Sequence, residues 1–376
     1  MTYKLMLASV FTFSLAAFAA SSQPVPATVA VATRTLSGDT QAVLEQQAAA
    51  GDINAQIRLA SLLERGSDQN VTKAEALYLA AGKNGSRAAQ RAYANLVISH
   101  PAISDVDYAT AFGWLKGRAE AGDAEAQNNL GEMYLTGQGV KPSCREALAW
   151  FERAARQDVP AAEFNLANMY ATGRGADQDN VKAFGWYKHA AEQGYAPAEN
   201  ELGTAYLNGD GVAQDMAAAI KWYRLAAAQG MAAAENNLGV VYSQGKGVAT
   251  DSTEAARWYQ LAADKNLSSA QNSLAVLYAT GRGVAKDLSQ AEKLFRIAAE
   301  HGYPTAQMNL GMMYAKGIGV EQNNAKAYFW LMLAKAFGEN VSRQTLENIE
   351  AQLDQNTLAQ ASTDWQDWFK SHYRVQ

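Results

Sequence analysis

Few residues of this 376-residue chain are of types that do chemistry, and their spacing argues against most of it. The four histidines, His100, His189, His301 and His372, are scattered and keep none of the short intervals that metal ligands favour. The single cysteine, Cys144, opens a segment that reads as a helix, where the helix dipole favours a thiolate. It also follows Ser143, a capping residue, and reads equally as an incidental replacement beside that cap. Asp and Glu together number 37, yet no pair stands apart from a regularly recurring pattern. No Ser, Cys or Lys lies in a nucleophile motif. Glycine pairs of the form G-x-G, first at Gly137 and Gly139, resemble phosphate cradles. None is followed by a third glycine at dinucleotide-binding spacing or by Gly-Lys-Ser/Thr, and no strand precedes them, so one loop in six copies reads as a structural turn. Recurrent Trp-Tyr pairs can stack sugars or bases, but their register with alanines places most in a helix–helix core. Four Asn-x-Ser/Thr sequons begin at Asn70, Asn84, Asn266 and Asn340 and matter only in a host that glycosylates. No metal, cofactor or catalytic residue is expected.

What positions these residues is a repeat. Leu130, Leu166, Leu202, Leu238, Leu274 and Leu310 are spaced by 36 residues without a slip. Trp114, Trp150, Trp186, Trp222 and Trp258 keep the same step, which Leu294 continues and Trp330 resumes. Each unit carries two apolar stripes with helical periodicity. Ala126, Leu130 and Tyr134 fall at i, i+4 and i+8 in the first half; Ala147, Trp150, Phe151, Ala154 and Ala155 form the packing face of the second. Gly131, which is Gly or Ala in every copy, is expected to let a neighbouring backbone come close. Ser143, Asp179, Asp215, Asp251, Asp287 and Asn323 recur where the second helix should begin, and all are strong N-cap types. Gly122, Asp158, Gly194, Gly230, Asn266, Gly302 and Gly338 recur where it should end, and all tolerate the left-handed conformation that closes a helix.

The N-N-L-G-x-M-Y-x-x-G of Asn128 to Gly137 and the W-Y-x-x-A-A-x-x-G of Trp186 to Gly194 resemble the Sel-one-like repeat family, a relative of the tetratricopeptide repeats. The resemblance covers about three quarters of the chain. It implies an all-α fold, a right-handed α-solenoid of antiparallel helix pairs, that serves as an adaptor or ligand-binding scaffold. Some cysteine-rich relatives are credited with β-lactam hydrolysis, but their paired cysteines are missing here.

The expected organisation is a signal peptide at 1–19, a flexible linker at 20–42, two degenerate repeats at 43–121, six well-formed repeats at 122–338 and C-terminal capping helices at 339–376. Lys4 before the apolar run Leu5 to Phe18, then small residues, predicts cleavage after Ala19 and a periplasmic or secreted protein. The Ser-, Pro- and Ala-rich stretch that follows has no helical period. No later segment reaches transmembrane length, so no membrane span is expected after cleavage. A lone cysteine makes no internal disulfide, so an exported fold must rest on packing. The net charge of −5 falls to −6 without Lys4, and no basic stripe suits nucleic acid.

At about 100° per residue, positions −2 and +2 from the repeat leucine point away from the core stripe. Position −2 reads Asn128, Phe164, Asn200, Asn236, Asn272, Met308; position +2 includes Asn168, Val240, Val276 and Met312. On the concave side of a solenoid these rows would form the floor of a groove for a protein or peptide, or an envelope glycan. Amides there can pair with a ligand backbone, and methionine adapts to varied shapes. The asparagines can equally serve neighbouring helices. The reading favoured is an envelope scaffold; the runner-up is a hydrolase acting on a cell-wall or β-lactam substrate.

Overall fold

A computed structural model of the chain describes residues 38–64, 66–99 and 105–372. The signal segment and most of the expected linker lie outside the described residues. Helix α1 (Gly38–Ala49) starts inside the 20–42 stretch read as linker. Eight helix pairs follow. They are α2 (Ile53–Leu63) with α3 (Asp68–Lys83), α4 (Arg87–Ser99) with α5 (Asp105–Glu120), α6 (Ala124–Thr136) with α7 (Cys144–Ala155), and α8 (Pro160–Thr172) with α9 (Asn180–Glu192). Then come α10 (Ala196–Asn208) with α11 (Met216–Ala228), α12 (Ala232–Gln244) with α13 (Ser252–Asp264), α14 (Ser268–Thr280) with α15 (Leu288–Glu300), and α16 (Pro304–Lys316) with α17 (Asn324–Ala336). Helices α18 (Arg343–Glu350) and α19 (Gln355–His372) close the chain. No strand occurs among the described residues, and the fold is an all-α solenoid of tandem pairs. It divides into two compact units, Met1–Ala190 and Ala191–Gln376.

The periodic leucines explain why the pairs form. Leu130, Leu166, Leu202, Leu238, Leu274 and Leu310 are all at most 1% exposed, as are the alanines four residues before each. Burying a leucine in every unit contributes roughly 1.5–3 kcal/mol each time, from a side chain that would otherwise face water. The second helix supplies the partner, and here the structure shifts the expected register by one residue. The buried side chain is the one after the tryptophan: Leu115, Phe151, Tyr187, Tyr223, Tyr259, Phe295 and Leu331 are buried, whereas Trp114, Trp186, Trp222, Trp258 and Trp330 are half-buried. Of the tryptophan row only Trp150 is buried, at 7% exposure. Cations lie over the rings of two of the others, Lys221 on Trp222 and Arg257 on Trp258.

The recurrent Gly131 position admits a close approach by the paired helix. A Cβ there would come within 2.7 Å of the Phe151 ring, and at Gly239 within 2.5 Å of Tyr259. What comes closest is a side chain of the paired helix, and that helix's backbone is near as well: a Cβ at Gly203 would lie 3.2 Å from the Ala219 carbonyl oxygen, and one at Gly311 3.2 Å from that of Ala327.

The punctuation holds throughout. Asp179, Asp215 and Asn323 each accept one backbone N–H at 2.9 Å, Asp251 and Asp287 accept two, and Ser143 accepts one at 3.3 Å. The helix-ending residues all have positive φ, including the two that are not glycine, Asp158 at 56° and Asn266 at 61°. The second glycine of each turn has a packing role as well. A Cβ at Gly139 would lie 2.4 Å from the Tyr108 carbonyl on α5, and one at Gly283 would lie 2.2 Å from that of Ser252 on α13. The turn clamps one repeat's loop onto the start of the previous second helix, which is a structural use and leaves no cradle for phosphate.

Candidate functional site

Each first helix carries its −2 and +2 positions on the side away from the leucine, and the structure sorts these residues into two kinds. The first kind is bound into the fold. Asn128, Asn200 and Asn272 are buried, at 6%, 4% and 8% exposure. Their Oδ1 atoms accept from Asn165, Asn237 and Asn309 respectively, each at 3.0 Å and each one helix pair further on. The amides thus form rungs between consecutive first helices. In the first unit the rung continues, since Asn129 donates to Asn95 at 2.9 Å.

Asn236 breaks the pattern. Position 273, from which its partner would come, is serine, and the Ser273 hydroxyl donates instead to the Ser269 carbonyl of its own helix at 2.9 Å. Oδ1 of Asn236 is buried with no hydrogen-bond partner among the described residues.

A carboxylate joins the network in the first unit. Glu132, at position +2, accepts from Asn128 at 3.0 Å and from Asn165 at 3.1 Å. Burial pushes its carboxyl above the ordinary range, and the two amide bonds offset this only in part. Glu201 behaves alike in the second unit: burial raises it, while Asn200 donates to it at 3.0 Å and pulls the other way.

The second kind is half-exposed. Phe164 lies 5.8 Å ring to ring from Tyr187, and the Tyr187 hydroxyl donates to Asn168 at 2.6 Å. In the second unit Val240, Val276, Met308 and Met312 pack one side on the core and leave the other open. Of the ten residues singled out from sequence, three are rungs, and the other seven are half-buried and can be reached from outside. An unlike partner touching this face would meet amides already held in place and an apolar run ending in methionines.

Sequence reasoning missed a hollow of about 830 Å³ in the first unit, lined by Arg87, Arg91, Arg118, Trp114, Gly113 and Gly117. Its signal was legible. Gly113 and Gly117 lie one turn apart on α5, and a Cβ at either would meet nothing within 4 Å. Arg118 pairs with Asp123, and Arg91 lies 3.6 Å from Glu125. Cys144 is half-buried at the first position of α7 and has no hydrogen-bonded base among the described residues. No described helix is long and apolar enough to cross a membrane.

The model of the Sel1 repeat matches residues 53–86, 124–159, 160–195, 196–231, 232–267, 268–303 and 304–335. The pair α4–α5, which carries the hollow, is the one unit between them that it leaves unmatched. Among solved structures, a Sel1 repeat protein from Oxalobacter formigenes is 34% identical, covers 63% of this chain and 94% of its own, and superposes with a TM-score of 0.59. A protective antigen of uropathogenic Escherichia coli strains with an SLR fold is 25% identical over 88% of this chain and 94% of its own, with a TM-score of 0.35. A sel1 repeat protein from Klebsiella pneumoniae is 21% identical over 54% of this chain and 98% of its own, with a TM-score of 0.39. Among curated protein sequences, none matches the chain.

Proposed function

The chain belongs to the Sel1 repeat family, and from that premise we propose that it is a scaffold of the bacterial envelope, holding a protein or peptide against the first helices of its repeats. Proteins with this repeat are generally interaction scaffolds, typically without enzymatic activity. The observation that carries the proposal is the apolar run in the second unit. Val240, Val276 and Met312 occupy one repeat position, and Met308 sits one turn before Met312. The leucine and aromatic rows already fill the core, so the outer side of these residues serves no packing that the repeat requires. Apolar side chains left half-exposed at a regular interval are suited to anchoring a partner's side chains. The envelope assignment rests on the apolar leader and small-residue site at Ala17 to Ala20. A glycan ligand and a cell-wall or β-lactam hydrolase are the competing readings.

A photo-crosslinking amino acid placed at Val276 on α14 tests the surface, with Lys293 on α15 as the matched position on the second helices. Exposure in an envelope extract should give protein adducts from 276 and few from 293. Adducts from 293 alone would move the partner to the other face. Release of intact wall fragments from 276, without protein, would replace the peptide by a glycan. Turnover of a wall or β-lactam substrate by the purified chain would favour the hydrolase.

A further inference from the structure

Asp158, Glu163 and His189 converge at one point of the first unit, and none of them belongs to the row described above. We propose that they form a divalent metal site of the kind zinc occupies. Asp158 is the left-handed residue that ends α7, Glu163 lies in the first turn of α8, and His189 lies in the last turn of α9. One ligand atom from each lies within 4.8 Å of the other two, and Nδ1 of His189 is 2.7 Å from Oε1 of Glu163. One imidazole and two carboxylates make a donor set suited to a borderline cation, with a position left for water or a partner group. Zinc bonds of about 2.0–2.2 Å set tetrahedral ligands about 3.3 Å apart. The His189–Glu163 hydrogen bond must therefore open slightly and Asp158 must swing in. Asp158 and His189 are exposed enough to do so.

The repeat itself marks these residues as exceptions. Where Asp158 stands, the other repeats have Gly122, Gly194, Gly230, Gly302, Gly338 or Asn266. A positive φ favours glycine, so an aspartate there is held against local preference. Where His189 stands, the neighbouring repeats have Arg153 and Leu225. Two departures from the repeat thus meet at one fully buried carboxylate, since the Glu163 side chain has no exposure.

Charge supplies the second argument. The same buried acid recurs as Glu199 and Glu235, and there the residue that caps the end of the paired second helix provides a donor: Gln229 at 2.8 Å and Lys265 at 2.6 Å. Those donors also hold the carbonyls of Gly194 and Gly230, the residues equivalent to Asp158. At Glu163 the equivalent residue is Gln193, and Asp158 adds a second carboxylate within 4.8 Å of the buried one. A buried carboxylate beside another is costly unless a cation joins them, and a divalent ion does so.

The decisive variant is Asp158→Gly, because it installs the residue that the repeat otherwise uses and so preserves the fold. Protein stripped with EDTA and titrated with zinc chloride by calorimetry should bind one equivalent. Asp158→Gly and His189→Ala should lose at least tenfold in affinity while keeping wild-type helicity. Zinc should raise the wild-type melting temperature and leave that of Asp158→Gly unmoved. His372→Ala, remote in sequence, should bind as the wild type does. Absence of wild-type binding at micromolar zinc would overturn the site. So would undiminished affinity in Asp158→Gly, or a loss confined to His372→Ala.

Discussion

A single residue decides whether a rung of the asparagine ladder forms. Asn128, Asn200 and Asn272 each receive a hydrogen bond from an asparagine one pair further on, while Asn236 faces Ser273 and its buried oxygen stays unpaired. An unmet buried acceptor costs about 1–3 kcal/mol and a typical made bond contributes about 0.5–1.5. Ser273→Asn should therefore stabilise the fold by about 1 kcal/mol, read as a higher urea midpoint with unchanged slope; a lower midpoint would show that the serine's own bond matters more. The same scale fixes a pH effect. Burial raises Glu132 above its ordinary 4.5 in the folded chain, so folding takes up a proton there. Its contribution to stability is fully present below that ordinary value and is lost as pH rises through the raised one. Glu132→Gln, which stays neutral, should gain stability relative to the parent as pH rises toward 7, and the gap should close in acid. A gap that widens in acid would mean that the amide bonds from Asn128 and Asn165 hold the charged form instead. The aromatic pair gives a third contrast. Tyr223 is 1% exposed, its hydroxyl within 3.1 Å of Thr204, and burial pushes its pKa up to about 12, whereas Trp222 is half-buried under Lys221. Tyr223→Ala should cost about 3–5 kcal/mol, the usual range for emptying a buried aromatic site. Trp222→Ala should cost clearly less, and thermal melts that reversed this order would restore the tryptophan to the core.

Elements were legible from sequence because each helix announces its own beginning and end. The caps at Asp215 or Asp251 and the left-handed residues at Asp158 or Asn266 are local decisions, set by a few neighbouring atoms and repeated often enough to be read. The two N-terminal pairs were read only through their second halves, although α2 carries Leu59-Ala60 in the form of Leu166-Ala167; α4 has Tyr93-Ala94 there instead. Contacts between repeats were harder to read. The shift from Trp to the following residue depends on how two helices roll together, and a stripe containing both Trp150 and Phe151 does not choose between them. The asparagine row showed its regularity but not its bonds, since the partner lies 37 residues away on another helix. The metal candidates stayed hidden for the same reason: Asp158, Glu163 and His189 belong to three elements and keep no short spacing. The turn glycines join the two levels. At Gly194 a Cβ meets nothing within 4 Å, while at Gly283 it would lie 2.2 Å from the Ser252 carbonyl, and both have positive φ. Gly194→Ala should therefore cost only the backbone strain, about 1–2 kcal/mol. Gly283→Ala must also push a neighbouring helix aside, adding roughly 1–3 kcal/mol. Equal losses in the two variants, measured by chemical denaturation, would show that the loop yields without disturbing the helix it touches.

At the scale of the molecule, a tandem array has the problem of its ends. Every pair buries one apolar face on the pair before it and offers another to the pair after, so the last pair needs a cover. In the second unit this falls to α18 and α19. Leu346, Ile349 and Ala361 are buried, and they join one cluster with Phe295, Leu310, Tyr328 and Leu331 from the final repeats. Phe369 adds a ring contact with Phe337, 5.2 Å between centroids. The cover differs from a repeat in its chemistry. Helix α19 runs 18 residues, and Ala361 is its one fully buried position. Its remaining faces carry Asp364, Asp367 and Lys370, which suit water and offer no further stacking surface. A chain ended after Gly338 would keep every repeat leucine yet uncover Phe337 and the half-buried Trp330, which lie against α19. Because stability in such arrays is close to a sum over units and their interfaces, the earlier repeats should remain folded. The truncated chain should accordingly retain most of its helical circular dichroism, while light scattering should report self-association that grows with concentration. Substituting Trp330→Lys in the truncated chain should reduce that association by placing charge on the uncovered face. A truncated chain that stayed monomeric and melted like the parent would show that α17 closes the array unaided, and that α18 and α19 serve another purpose.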